Sequence, residues 1–182
     1  MDTLEKALVE RQNIYRNMAG GIASRLFDVR KKGIKECLSG FQNEAHRLEL
    51  VTTVRGIRFI NDSRATNVNA TWFALETMNS PVVWIAGGQD NGNDYSTLSG
   101  LVEQKVRLII CLGTDNTNIR RYFSRFTGTI VEVNNMKDAV FAAYQHGIPG
   151  DTVLLSPACA SFDLFNNYAD RGKQFMQAVY DL

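Results

Sequence analysis

The sequence predicts an α/β protein: a doubly wound, mostly parallel sheet preceded by a short helical segment. Three observations predict it. Short runs at 82–86, 108–112 and 151–155 have the length and apolar character of strands buried on both faces, as parallel strands are. Each run stops at glycine or Ser-Pro, at Gly87-Gly88, Gly113 and Ser156-Pro157. Stretches with helical spacing lie between them, and strand, loop and helix repeated in that order describe a sheet whose ligand crevice lies at the carboxyl ends of its strands.

Taken in order, residues 2–40 read as helical and amphipathic, with Leu4, Ala7, Leu8 and Ile14 on one face and Ile22, Leu26, Val29 and Ile34 on another. Gly20-Gly21 separates the two, and a helix over 34–38 ends at Ser39-Gly40. So little apolar surface makes no core of its own. Residues 1–41 are therefore expected to be a linker or the tail of a preceding domain, and 42–182 the α/β domain. A polar stretch at 43–49 leads to a strand-forming run over 51–58, which opens into the loop 59–67. A helix is expected over 70–78, a strand over 82–86, and a helix over 95–104. A strand at 108–112 and a helix at 116–123 follow. The strand at 129–133 is weaker because Glu132 interrupts it. Helix 136–144, strand 151–155 and helix 170–180 complete the chain.

A length of 182 residues suits one sizeable core with an appendage. With a net charge of +1 there is no global field to attract nucleic acid or an anionic membrane, so any anionic ligand is held locally. Cys37, Cys111 and Cys159 are odd in number and lack CxxC spacing, which argues against a disulfide framework or a structural zinc. A reducing, cytoplasmic setting is the expectation. The N-terminus lacks the order of a signal peptide, and no apolar run approaches the ~20 residues that span a bilayer.

Four polar clusters are brought to one edge if the strands run as predicted: 62–67, 87–94, 113–116 and 156–163. The first holds a carboxylate, two hydroxyls, a guanidinium and an amide between a strand and a helix N-terminus. There unpaired N–H groups and the helix dipole favour anions. Helix capping and turn chemistry explain such residues equally well, most of all at 113–116. Several catalytic schemes are excluded. No GxSxG elbow occurs, and His46 and His146 are far apart without neighbouring metal ligands. Cys159 has no nearby base to activate it and reads as a small residue beneath a loop. Neither GxxxxGKS/T nor GxGxxG is found, which conflicts with a stand-alone nucleotide-dependent enzyme and fits a fragment of one.

Four ordered segments then resemble a known family. Asp62-Ser63-Arg64-Ala65-Thr66-Asn67 resembles the D-S-K-A-T-N motif of the Mur ligases that add D-glutamate to UDP-N-acetylmuramoyl-L-alanine, and the stretch from Asp151 to Asp163 resembles their L-L-S-P-A-C-A-S-x-D motif. His46-Arg47-Leu48-Glu49 is similar to their H-R-L-E, and Asn166 to Gly172 to their K-N-Y/F-x-x-R-G. The resemblance implies that 42–182 is the Rossmann-like C-terminal domain and that the UDP-binding domain and most of the central ATPase domain lie outside this chain. It further implies a ligase of peptidoglycan synthesis that uses ATP and Mg²⁺ to form an acyl phosphate, which the amine of D-glutamate attacks. Carried over by position, Thr66, Ser161, Phe162 and Tyr168 contact D-glutamate. Arg47, Asp62, Asn13, Arg64 and His46 fall on the nucleotide side. The implied partners are D-glutamate, UDP-N-acetylmuramoyl-L-alanine and the missing domains, and the implied state is a monomer.

The sequence departs from the family at four positions. Asn91 stands where the family usually has the lysine that binds a D-glutamate carboxylate, leaving a hydrogen bond without a charge. Arg64 replaces the lysine of D-S-K-A-T-N, and Gln12 and Arg16 replace a histidine and an asparagine of the G-x-H-N-x-x-N segment. Arginine keeps the charge but not lysine's point-like geometry. These departures keep open a second reading, a non-catalytic α/β ligand-binding module that has lost the ligase site. On either reading the chain alone is expected to form no amide bond.

Overall fold

The computed structural model describes residues 45–126 and 128–182. The helical segment expected over 2–40, and Asn13 with it, lies outside the described residues.

The first strand-forming run is two strands. β1 (Glu49–Val54) and β2 (Ile57–Asn61) pair antiparallel about a two-residue turn at Arg55-Gly56. Both turn residues have positive φ, 50° and 78°, the geometry whose twist matches that of a hairpin. The expectation of one strand over 51–58 is corrected accordingly. Arg55 tolerates the left-handed backbone beside a glycine, so the turn lacks an Asn-Gly or Asp-Gly signal, and Phe59–Asn61 belong to the strand and not to the loop.

The remaining elements follow the predicted order: α1 (Val68–Thr77), β3 (Val82–Gly87), a 3₁₀ turn (Ser96–Leu98) running into α2 (Ser99–Lys105), and β4 (Val106–Leu112). Then come α3 (Thr117–Phe123), β5 (Ile130–Val133), α4 (Met136–His146), β6 (Thr152–Ala158) and α5 (Tyr168–Tyr180). Asn67, Asn135 and Asn167 cap α1, α4 and α5, each side-chain oxygen accepting an amide three residues on.

The sheet order is β1-β2-β6-β3-β4-β5, and every pair except β1 with β2 is parallel. Parallel strands need crossovers, and the helices supplying them cover both faces. β3 is buried along its whole length, and its alternate residues divide between two cores. Val82, Trp84 and Ala86 pack with α1, α2 and α3, while Val83 and Ile85 pack with α4 and α5. Trp84 meets Phe123 edge to face at 5.3 Å and donates its indole N–H to the Ser156 carbonyl at 2.7 Å, so its polar edge is satisfied within the core.

β6 is the last strand to enter and takes the place between β2 and β3. After β3 the chain turns to the helices of one face, and after β6 to those of the other. That divergence opens the crevice of a doubly wound sheet at the carboxyl ends of these two strands.

Candidate functional site

The crevice is built from three loops, those following β2, β3 and β6, and backbone contacts tie them together. The Gln89 amide donates to the Ala160 carbonyl at 2.9 Å, and the Ala158 amide donates to the Ala65 carbonyl at 3.0 Å. Ala158 itself has φ of 61°, a left-handed backbone that non-glycine residues rarely adopt. Gly88, with φ of 127°, is where the β3 and β6 loops press closest: a Cβ there would stand 2.2 Å from the Ala160 carbonyl oxygen. Only glycine fits. The clusters singled out from sequence at 62–67, 87–94 and 156–163 therefore do meet at one edge, and the fourth joins them through the Thr114 amide, which donates to Asp163 at 3.2 Å.

In the β3 loop, Asp90 is the organising residue. One carboxylate oxygen accepts the amides of Gly92 and Asn93, both at 2.9 Å, and the other accepts the Tyr95 hydroxyl at 2.9 Å. Asn93 reaches back to the Ala158 carbonyl at 3.1 Å. Asn91 is left exposed at the tip, on a loop whose base is fixed.

Around β2 the expected nucleotide-side residues separate into two kinds. Asp62 is 4 % exposed, with one oxygen accepting the Leu48 amide at 3.2 Å and the other the Ser156 hydroxyl at 2.8 Å. Burial pushes its carboxyl up to about 7, against the lowering effect of those two donors and of Arg47's charge. His46 is also buried, its ring nitrogen Nδ1 2.9 Å from the Asn61 amide nitrogen and its ring face against Gly172. Both side chains are thus committed to internal contacts. They hold the segment 46–48, in which His46 and Leu48 have positive φ of 65° and 44°. Arg47 stands half-buried between those two strained residues, and Arg64 is exposed with its guanidinium 5.8 Å from the centre of the Tyr168 ring.

Of the residues expected around D-glutamate, Thr66 is exposed at the head of α1 and Ser161 is buried at 2 % exposure. Phe162 is 70 % exposed and Tyr168, at the first turn of α5, 38 %. Such large exposed rings beside a crevice are available to a ligand or to another domain. Tyr168 is tied to the β2 loop through its carbonyl, which accepts the Ser63 hydroxyl at 2.7 Å. Cys159, by contrast, is 1 % exposed and burial raises its thiol pKa, which suits an inert residue beneath the loop and not a nucleophile.

Arg171 falls in the segment similar to K-N-Y/F-x-x-R-G, but the sequence assigned it no role. It donates to the Ser63 hydroxyl at 3.0 Å, the Ser63 carbonyl at 2.8 Å and the Cys159 carbonyl at 3.2 Å, joining the β2 and β6 loops. A signal was present: Arg171 shares with Phe175 and Val179 the four-residue spacing of the buried stripe of α5, a place where a charged residue needs a reason.

Fold and crevice together define an α/β domain with three polar loops gathered at the switch point of a parallel sheet. The chain belongs to the Mur ligase family: the model of the Mur ligase glutamate ligase domain matches residues 46–159. Among its relatives, the UDP-N-acetylmuramoylalanine--D-glutamate ligase of Christiangramia forsetii is 51 % identical over 182 residues, all of this chain and 41 % of the relative. The corresponding protein of Bacteroides thetaiotaomicron is 48 % identical over 183 residues, again all of this chain and 41 % of the relative. The chain thus spans about two fifths of the length of the curated relatives it matches. Solved structures share the fold at low identity. A bifunctional folylpolyglutamate synthase/dihydrofolate synthase of Yersinia pestis aligns with a TM-score of 0.53 at 13 % identity, over 77 % of this chain and 32 % of that one. A murein peptide ligase of Psychrobacter arcticus aligns at 0.51 and 13 %, over 75 % and 30 %.

Proposed function

We propose that this chain is the C-terminal, D-glutamate-binding part of an ATP-dependent amide ligase that adds D-glutamate to UDP-N-acetylmuramoyl-L-alanine in peptidoglycan synthesis, through an acyl phosphate. The observation that carries this reading is the match of the entire chain, at about half identity, to relatives named for that activity. Residues 42–182 are taken as the C-terminal domain and 1–41 as the tail of the domain before it. The setting is cytoplasmic and the state monomeric. Among the described residues no helix is long and apolar enough to cross a membrane.

In this reading the three loops form the amino-acid side of the site. Thr66 and Ser161 offer hydroxyls to a carboxylate, the amides at the head of α1 add partial positive charge, and Asn91 contributes a neutral hydrogen bond. Phe162 and Tyr168 cover the carbon chain and keep water away from the attacking amine. Arg47 and Arg64 fit the nucleotide side, as planar, permanently charged donors suited to phosphate. Asp62 and His46 serve that side by holding Arg47 in place, since both carboxylate oxygens of Asp62 and Nδ1 of His46 are occupied within the fold. ATP supplies the phosphoryl group that activates the acceptor carboxylate. Mg²⁺ is assigned to the nucleotide phosphates in the full-length protein.

The test is ADP release by the full-length protein as a function of D-glutamate and UDP-N-acetylmuramoyl-L-alanine. Release that requires both supports the reading. No ADP release with both present, together with unchanged amide signals of Thr66 and Ser161 at millimolar D-glutamate, favours the non-catalytic binding module to which Asn91 points.

A further inference from the structure

Arg171 is 1 % exposed and is the sole arginine in the buried set among the described residues. A guanidinium so placed has lost its water, a cost ordinarily offset by a carboxylate in contact with it. None among the described residues pairs with it directly, and Asp163 acts on it only through longer-range attraction. Burial lowers its pKa to about 10, which leaves it cationic at neutral pH. Its N–H groups go to neutral oxygens in two loops: Nε and Nη2 to the hydroxyl and carbonyl of Ser63, after β2, and Nη1 to the carbonyl of Cys159, after β6. The third loop passes close by, since a Cβ added to Gly88 would stand 3.3 Å from Nη1. One side chain therefore bonds two loops of the crevice, lies close to the third, and brings a positive charge that no carboxylate among the described residues contacts.

We propose that Arg171 is a positioning residue that sets the spacing of the three ligand-binding loops and supplies a standing positive charge beneath the crevice, so that the site prefers a carboxylate-bearing amino acid. The inference rests on the D-glutamate reading above. A planar fork of donors fixes two loops at once, which an ammonium group does not. A charge held within the protein is screened by salt far less than an exposed one, so it reaches a ligand it does not touch. Because the loops are already bridged, an anion entering the crevice does not have to order them.

The experiment measures KM for D-glutamate, KM for ATP and kcat in the full-length protein carrying Arg171→Met, Arg171→Lys or Ser63→Ala. Arg171→Met is expected to raise KM for D-glutamate about 30-fold while KM for ATP stays within about twofold. Arg171→Lys, which keeps the charge and loses the fork, is expected to restore most of that KM and to leave kcat about tenfold low. A role confined to holding the fold moves both KM values together, or moves only thermal stability, and either result overturns the proposal. If Arg171→Met does not fold, Ser63→Ala decides, since it removes one acceptor and keeps the cation. A fall in kcat with KM for D-glutamate held is expected, and unchanged kinetics overturn the proposal. A wild-type protein that neither binds nor uses D-glutamate fails before any substitution is made, and that failure belongs to the functional reading.

Discussion

The hydroxyl of Ser156 donates to Asp62, 94 positions earlier in the chain, at 2.8 Å, and joins the end of β6 to the first residue beyond β2. The carboxylate it meets is buried and titrates near 7, where a free aspartate titrates at 3.8. Because the folded pKa lies above the unfolded one, the folded state holds a proton that the unfolded state has lost between those values. Stability therefore falls as pH rises from about 4 to about 7 and is level beyond, in the sense opposite to an ordinary ion-paired aspartate. The size of the fall is of order 2–4 kcal/mol. Asp94, Asp115 and Asp170 are shifted downward by hydrogen bonds and act below this window. Asp62→Asn keeps the shape and an accepting oxygen, and Ser156 turns its hydroxyl to accept the new amide. Urea midpoints measured from pH 4 to 8 are expected to decline for the wild type and to lose most of that decline in Asp62→Asn. An equal decline in both proteins assigns the effect elsewhere.

Lys105 provides a second stability test. Its ammonium, on the last turn of α2, donates to the carbonyls of Leu75, Glu76 and Met78 at 3.0, 2.8 and 2.9 Å. They belong to the last turn and cap of α1, which has no basic residue in its own last turn, and the Leu75 carbonyl also accepts the Met78 amide at 3.2 Å. Lys105→Met retains the aliphatic stem and removes the donor. Denaturant unfolding is expected to show a loss of about 1–2 kcal/mol. Hydrogen exchange should quicken at the carboxyl end of α1 before it does elsewhere.

The parts of this fold that were legible in the sequence are those in which one residue type repeats for one physical reason. β3, β4 and β6 announce themselves because a strand covered on both faces is mostly apolar, and Gly87-Gly88 and Gly113 mark where β3 and β4 stop, whereas β6 runs on through Ser156-Pro157, the expected stop, to Ala158. The hairpin at Arg55-Gly56 was hidden because Val51, Val54 and Ile57 continue an apolar pattern through a turn too short to break it. The crevice was legible as a set of loops but not as a set of contacts. Asp62 is a charged residue among polar neighbours in the sequence, and only packing reveals that it is buried and bonded inward, while the helical spacing of Arg171 hints at its burial but not at its partners. Whether a polar side chain faces a ligand or its own backbone depends on partners about 100 residues away, such as Ser156 for Asp62 and Ser63 for Arg171.

The packing of His46 on Gly172 lends itself to a paired substitution. A Cβ on Gly172 would stand 2.4 Å from Nδ1 of the His46 ring, so Gly172→Ala forces the ring away and breaks its contact with Asn61. A loss of about 2–3 kcal/mol is expected, near the upper end for overpacking, because a hydrogen bond is lost as well. His46→Gly removes the ring and relieves the backbone at φ of 65°. In the double variant the methyl group occupies vacated space, so the two effects should be far from additive. Additive losses in the unfolding cycle mean that the contact does not matter to stability.

Asn91 invites a substitution that adds function instead of removing it. It lies exposed at the tip of a loop whose base is held by Asp90 and Asn93, so a longer side chain there disturbs no packing. Asn91→Lys places a mobile ammonium at the mouth of a crevice read as the site of a dicarboxylate. An exposed charge is screened and must be ordered on binding, which limits its contribution to about 1 kcal/mol. KM for D-glutamate in the full-length protein is therefore expected to fall about fivefold, with KM for ATP unchanged and with the gain largely removed in high salt. The salt dependence separates this charge from that of Arg171, whose buried position shields it. A substitution at Asn91 that leaves KM for D-glutamate untouched at low ionic strength would place the amino-acid carboxylates away from the β3 loop, toward Thr66 and Ser161 alone.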